Sequence, residues 1–278
     1  MSYLRLLNVV VNGLPIFSLR IDFDIQQSNQ ASTDEPNTGE IKIYNLSPIT
    51  RKLISIPKSL IVVNAGHLDN IPAPIFLGKL KSYREENTNT EVISVLEVED
   101  NGGLLDLHTM KMSFFYPPLS PASSVIAGIA GFAGTPLASI PIRNHIFLNG
   151  FSHSGLLKNA LDIVVKDVLK MDWFIDKALL FISDPLIPSV SLPTIISAAN
   201  GLIGSPEKIV EDSNKKLLPT KKYKFKTMLN PRHFIGQTVT VVSKVELMIG
   251  VFKITSLRKY GSNYTNDFYN EYIVESLI

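Results

Sequence analysis

Hydrophobic and polar positions follow the same order in two separate stretches of this chain, Asn45 to Asp100 and Asn230 to Leu277. Each opens with an Asn beside Leu and Pro: Asn45-Leu46-Ser47-Pro48 in the first, Leu229-Asn230-Pro231 in the second. A β-branched run follows, Leu60-Ile61-Val62-Val63 against Val239-Thr240-Val241-Val242. Next comes a Gly-containing apolar strand, Ile75-Phe76-Leu77-Gly78-Lys79-Leu80 against Ile249-Gly250-Val251-Phe252-Lys253-Ile254. The tails Lys81-Ser82-Tyr83-Arg84 and Leu257-Arg258-Lys259-Tyr260 align after it, then a polar turn, then a closing strand from Val92 to Glu99 or Glu271 to Leu277. The order predicts a duplicated β-module, and duplication suggests assembly by repetition.

Around these modules the periodicity changes twice. Ile16, Leu19, Ile21, Phe23 and Ile25 are apolar with polar residues between them from Ser18 on, the spacing of a half-buried strand. Gln26 to Thr38 is polar and predicts a long loop, and Glu40 to Tyr44 alternates again. Ser47 suits an N-cap and Pro48 the first helical position. From Met110 the pattern turns helical. Ala122 to Phe132 is small and apolar, and Leu156, Leu157, Ala160, Leu161, Val164, Val165, Val168 and Leu169 predict one buried face of a helix over Gly155 to Met171. Lys158, Asp162, Lys166 and Lys170 step by four on its other side, where alternating signs stabilise the helix. Trp173 to Ile175 and Leu179 to Ile182 predict a hairpin around Asp176-Lys177-Ala178, with Trp173 anchoring it against the helix and Pro185 and Pro188 ending it. The last region returns to β through a Gly-rich link, Ala198 to Glu207, and a basic segment, Lys215 to Lys226. The prediction is an α+β chain, mainly β, with residues 1–109, 110–190 and 191–278 as its three parts.

Composition narrows the class. Hydrophobic residues at 45% and charged residues at 19% place the chain among folded proteins. A net charge of +2 implies no nucleic-acid surface by itself. With no cysteine, thiolate nucleophiles, disulfides and Cys-based zinc sites are excluded. Met1 to Phe17 is apolar, but Asn8 and Asn12 interrupt it without a cleavage-type motif, and strand is expected. The charge-free stretch Met112 to Ile142 is cut by five prolines, so its helix is expected to be buried and not membrane-spanning.

Catalytic chemistry is hard to place. His67, His108, His145, His153 and His233 show no metal-binding spacing. On a strand, Glu97 and Glu99 share one face opposite Leu96 and Val98, which favours a solvated or interface edge over paired catalytic acids. Glu85-Glu86 falls at a turn and has the same explanation. Ser152-His153-Ser154-Gly155 lacks a nucleophile-elbow setting, and helix capping by Ser152 or Ser154 is expected instead. Gly128, Gly131 and Gly134 do not match a dinucleotide fingerprint and suit close helix packing. Lys215, Lys216, Lys221, Lys222, Lys224 and Lys226 form the one concentrated charge. A solvated strand face explains it most simply, and an acidic partner protein is the functional alternative. DNA is disfavoured because Tyr223 and Phe225 alternate between the lysines and pack inward.

Gly201-Leu202-Ile203-Gly204-Ser205-Pro206-Glu207, then Leu229-Asn230-Pro231 and Gly236, resemble tailed-phage baseplate hub proteins, which relate to the hub domains of type VI secretion spikes. Ile41-Lys42-Ile43-Tyr44-Asn45-Leu46-Ser47 with Thr50 and Arg51, and Ala65-Gly66, Phe76, Gly78 and Leu80, extend the likeness to the N-terminal part. Where the family often carries Gly-Asp, this chain has Gly261-Ser262-Asn263. The resemblance implies two tube-like β-barrel domains around a small helical and hairpin insertion. It implies a non-enzymatic structural hub of the virion tail baseplate, assembled in the host cytoplasm, with no cofactor, no metal and no stable membrane insertion. Three copies with two modules each would form a pseudo-six-fold ring joining tail tube protein to spike protein and lining the channel. The tape-measure protein and other baseplate proteins are further implied partners. Asn45, Ser47, Gly78, Gly204, Pro206, Asn230, Pro231 and Gly236 would shape turns that aim both modules at a common axis, and Lys221, Lys222, Lys224 and Lys226 would form a protein-contact face. The alternatives are a tail-tip envelope-degrading enzyme, a tube-terminating ring protein and a membrane-interacting tip protein using Phe114 to Pro141.

Overall fold

The computed structural model describes residues 5–28, 36–67, 72–100, 107–139, 141, 143–184, 194–209, 221–243 and 249–276. Pro185, Pro188, Lys215 and Lys216 lie outside them. The chain forms two compact units, one of Met1–Ser28, Thr38–Glu99 and Pro188–Ile278, the other of Asn29–Asn37 and Asp100–Ile187.

The first unit is β-rich. Strands β1 (Arg5–Val11) and β2 (Leu14–Ile16) form a hairpin on Asn12 and Gly13, at φ 49° and 83°, the left-handed pair that matches strand twist. β3 (Ile21–Ser28), β4 (Asn37–Tyr44), helix α1 (Pro48–Ile54), β5 (Leu60–His67), β6 (Ala73–Asn87) and β7 (Val92–Asp100) follow. The period-2 pattern of β3 and β4 buries Ile21, Phe23, Ile25, Ile41 and Ile43, each worth about 1.5–3 kcal/mol. The predicted loop from Gln26 is shorter than expected, because β3 runs to Ser28 and β4 begins at Asn37. Ser47 caps α1, its side chain accepting from the Thr50 N–H at 3.1 Å.

In the second unit, β8 (Lys111–Tyr116), β9 (Ser120–Pro121), α2 (Ala122–Ala133), β10 (Ile146–Phe147), β11 (Phe151–Leu156) and α3 (Leu157–Asp162) precede the hairpin β12 (Asp172–Asp176) and β13 (Leu179–Ser183). α3 starts later than the apolar pattern implies, since Gly155 belongs to β11. It continues as a π-helical segment, Ile163–Val168, in which the Leu169 N–H reaches Val164 O at 3.1 Å. The wider turn moves Val168 off the buried face while Leu169 stays buried. Ser152 and Ser154 sit on β11, and Leu156, which supplies no side-chain cap, occupies the helix start. Trp173 is fully buried and its Nε1 donates to Asp162 Oδ1 at 2.8 Å. A Cβ at Gly128 would sit 1.5 Å from Tyr116 Oη, so close packing fixes that glycine, while Gly134 closes α2 at φ 64° and Gly131 faces open space. Among the described residues, no helix is long and apolar enough to cross a membrane.

The chain then returns to the first unit with β14 (Thr194–Ser197), β15 (Leu202–Ile209), β16 (Lys222–Met228), β17 (Thr238–Val242), β18 (Ile249–Ser262) and β19 (Phe268–Ser276). One sheet joins both terminal regions in the order β15-β16-β19-β18-β3-β4-β7-β6-β5-β1-β2, with β14 on β17 and β17 on β18. The repeat is visible in this order: β3-β4-β7-β6-β5-β1 is matched by β15-β16-β19-β18-β17-β14. Backbone bonds repeat as well. Tyr44 N–H to Arg20 O is matched by Met228 N–H to Gly201 O, and Asn45 N–H to Val92 O by Leu229 N–H to Phe268 O. β6 is bulged between Leu80 and Ser82 and β18 between Ile254 and Ser256. Ser82 therefore corresponds to Ser256 and Arg84 to Arg258, two residues from the alignment of the tails that identity suggests. The halves differ at one end, where β1 meets β5 antiparallel and β14 meets β17 parallel. The strand path does not close into a barrel among the described residues.

Candidate functional site

Of the residues singled out by sequence as turn formers, Asn45, Ser47, Asn230, Pro231 and Gly236 fall at turns or a helix cap. Gly204 and Pro206 fall in a bulge of β15, and Gly78 lies within paired strand β6 and not at a turn. Asn45 takes φ 57° and its Oδ1 accepts from the Val92 N–H at 3.1 Å, tying the end of β4 to the start of β7. Gly78 lies on β6 where a Cβ would meet Glu99 O at 2.5 Å and the Phe76 ring at 2.6 Å. Because Glu99 O belongs to a paired strand, Gly78→Ala is expected to cost about 2 kcal/mol in urea unfolding. Gly131→Ala, which adds a methyl to open space on a helix, is the matched control and should not destabilise.

In the second half, Gly204 at φ 70° and buried Pro206 form the β15 bulge between Ile203 and Glu207. Asn230 Oδ1 accepts from the Arg232 N–H at 3.0 Å, and Pro231 is buried beside it. Gly236, at φ 81°, donates to Ile254 O at 2.8 Å. Its counterpart in the first half is Lys58, at φ 62° and donating to Leu80 O. Sequence did not reveal Lys58, since a lysine carries no signal for a left-handed backbone.

Beneath the Asn230 turn lies a buried polar cluster that sequence also missed. Asn230 Oδ1 holds a backbone N–H, so its Nδ2 faces His233 Nε2, at 3.2 Å, and donates to it. The neutral ring therefore carries its proton on Nδ1, directed at Tyr272 Oη 2.5 Å away. Asn270 Nδ2 donates to the same Oη at 2.7 Å and to Asn230 O at 2.9 Å. Burial, aided by the charge of Lys259, pushes His233 down to about 4, and burial raises Tyr272 well above the usual phenol range. A hydrogen-bonded network of this kind fixes a turn; His233, Asn270 and Tyr272 are closed to solvent, and Asn230 is partly buried above them.

The lysine face is compensated. Lys222 pairs with Glu275 at 3.0 Å and Lys224 with Glu271 at 3.8 Å, both across β16·β19. Lys226 lies over the Tyr269 ring, 3.7 Å from its centroid, a cation–π contact. Lys221 is exposed. Phe225 between them is buried and stacks on Tyr272 at 4.8 Å. Neighbouring strands carry more matched charge. Arg258 donates to Asp24 from Nε and Nη2, at 2.9 and 2.6 Å, and Arg84 binds Glu40 at 2.8 Å, Glu86 at 3.2 Å and Glu97. Glu97 and Glu99 thus sit in ion pairs, with Arg84 and Lys81, on the face opposite buried Leu96 and Val98. Among the described residues, no group of three metal-ligating side chains occurs. His153 Nε2 contacts Leu156 O at 2.9 Å, and Ser154 Oγ contacts Ser113 Oγ at 2.8 Å, so neither faces the other as base and nucleophile.

The chain shares its mainly β fold with solved phage tail proteins and with a component of the type VI secretion system. A tail protein of Neisseria meningitidis matches with TM-score 0.72 at 11% identity, over 99% of this chain and 97% of that one. The 43 kDa tail protein of prophage MuSo2 from Shewanella oneidensis matches with TM-score 0.66 at 9% identity, over 97% and 98%. A type VI secretion component of E. coli, structurally similar to the T4 bacteriophage tail proteins gp27 and gp5, matches with TM-score 0.61 at 9% identity, over 96% and 76%. No family model and no curated protein sequence matches the chain.

Proposed function

We propose that this protein is the structural, non-enzymatic hub of a phage tail baseplate or a related contractile injection particle. Three copies form a ring that joins a six-fold tail tube to a three-fold spike, with the sheet bordering a central channel. Tube and spike proteins are the direct partners, the tape-measure protein and other baseplate proteins the further ones. The observation that carries this reading is the repeated strand order, β3-β4-β7-β6-β5-β1 and β15-β16-β19-β18-β17-β14. Three chains with two like halves present six similar surfaces, which lets a trimer match both symmetries. Residues 1–109 and 191–278 supply the tube-like halves, and 110–190 the insertion. The turns and bulge at Asn45, Ser47, Gly204, Pro206, Asn230, Pro231 and Gly236, with the close strand approach at Gly78, hold the strands of both halves toward the common axis. Lys221 and the partly exposed lysines of β16 offer a face to an acidic neighbouring protein. Native mass spectrometry tests the assembly: three chains of 30.8 kDa give 92.4 kDa. A hexamer of whole chains would contradict the reading.

A further inference from the structure

The ring reading leaves open which surfaces meet between copies, and the following rests on it. The two halves of the sheet meet where β18 pairs antiparallel with β3, from Ser256 opposite Ser28 to Ser262 opposite Asp22. Arg258 crosses that seam to Asp24. Each seam strand has a counterpart in the other half, β6 for β18 and β15 for β3. The shared bulge puts Arg84 where Arg258 stands. Glu207 stands where Asp24 stands. It lies opposite Lys224 as Asp24 lies opposite Glu40, and each of those partners is five residues before the strand-tying N–H of Leu229 or Asn45.

Within one chain these counterparts do not meet. Among the described residues, β6 from Ser82 to Asn87 pairs only with β7, and β15 only with β16. Exposure follows the difference. Leu257, Lys259 and Gly261 are buried at the seam, whereas their counterparts Tyr83, Glu85 and Asn87 are half-buried, exposed and exposed. An unpaired strand edge is a template for another strand. We propose that the free edge of β6 in one copy pairs antiparallel with β15 of the next copy, repeating between chains the seam that β18 and β3 make within one. Transferring the internal register places Glu86 opposite Glu207, Glu85 opposite Lys208 and Arg84 opposite Ile209 of the next copy. Arg84 then reaches Glu207 diagonally, as Arg258 reaches Asp24, and bridges it to Glu86. Glu85 and Lys208 add a second pair of opposite charge. The contact joins unlike surfaces head to tail, so it closes into a ring when its rotation allows. Gly204 to Pro206 kink β15 just before the paired stretch, and such a bulge limits unspecific pairing of a free edge.

The chain has no cysteine, so a Glu86→Cys/Glu207→Cys variant reports this contact alone. Directly opposed Cβ atoms stand about 4.5–5.5 Å apart, within reach of a short thiol-reactive crosslinker. The expected product on a denaturing gel is a ladder ending at a covalent trimer, with each single variant uncrosslinked. In a second arm, Arg84→Glu and Glu207→Arg each lower the trimer population at least about 10-fold in native mass spectra, and the double exchange restores it. A trimer of the unmodified chain that neither crosslinks nor responds to Arg84→Glu overturns the edge pairing and leaves the ring. An unmodified chain that stays monomeric, with no crosslink, overturns both. Crosslinked ladders extending past three copies uphold the pairing and overturn the closed ring.

Discussion

Trp173→Ala is expected to lower the stability of the second unit by about 3–5 kcal/mol. The indole is fully buried among Leu161, Val165 and Leu180 in the same core, and its loss opens a cavity that a helix and a two-residue hairpin turn cannot collapse to fill. The same substitution deletes the bond from Nε1 to Asp162 Oδ1. Asp162 keeps Lys166 at 2.8 Å and Lys158 at 3.6 Å, so its charge remains balanced and the penalty is mainly one of volume. Trp173→Phe therefore isolates the smaller share, about 1–2 kcal/mol. Because the chain forms two units, unfolding followed by circular dichroism should resolve the affected transition from the other. A shift below about 1 kcal/mol for the alanine variant would show that the indole does not organise this core.

Acid is expected to loosen the first unit through His233. Burial, and then the charge of Lys259, hold its folded-state value at about 4, against an ordinary 6.5. Above pH 6.5 the ring is neutral in both states, and the buried network contributes its full stability. As pH falls below 6.5 the unfolded chain takes up a proton that the folded chain refuses, so stability declines until the folded ring also protonates near pH 4. Integrated over that window the loss is about 3 kcal/mol. Protonation also puts a hydrogen on Nε2, against the Asn230 Nδ2 donor, which breaks the cluster at the turn. His233→Gln removes the titration, so the gap between the two proteins in urea midpoint should narrow from pH 7 to pH 4. Parallel midpoint curves would remove His233 from the acid response.

Sequence carried the local features well. The alternation of β3 and the Ser47–Pro48 helix start rest on short-range chemistry, side-chain period and capping, and the strands at Gly78 and Phe252 match by their apolar order. What escaped depends on partners far along the chain. The lysines of β16 read as a free basic face because Glu271 and Glu275, which compensate them, lie more than 40 residues on and meet them only through strand pairing. The His233, Asn270 and Tyr272 cluster is hidden for the same reason. Lys58 takes a backbone conformation its side chain does not favour, imposed by the turn into β5. The π-helical stretch after α3 widens a helix whose apolar spacing looks regular. The tails align two residues away from the match that side-chain likeness suggests, because the shared bulge fixes Ser82 against Ser256 by pairing and not by identity.

Electron cryomicroscopy of the isolated assembly, viewed down its axis, probes the hub proposal most directly. Three chains should show six like β-lobes around one opening, alternate lobes differing where β14 replaces β1 and where only the first half carries β2 and α1. Six chains in the ring, or three lobes instead of six, would contradict it.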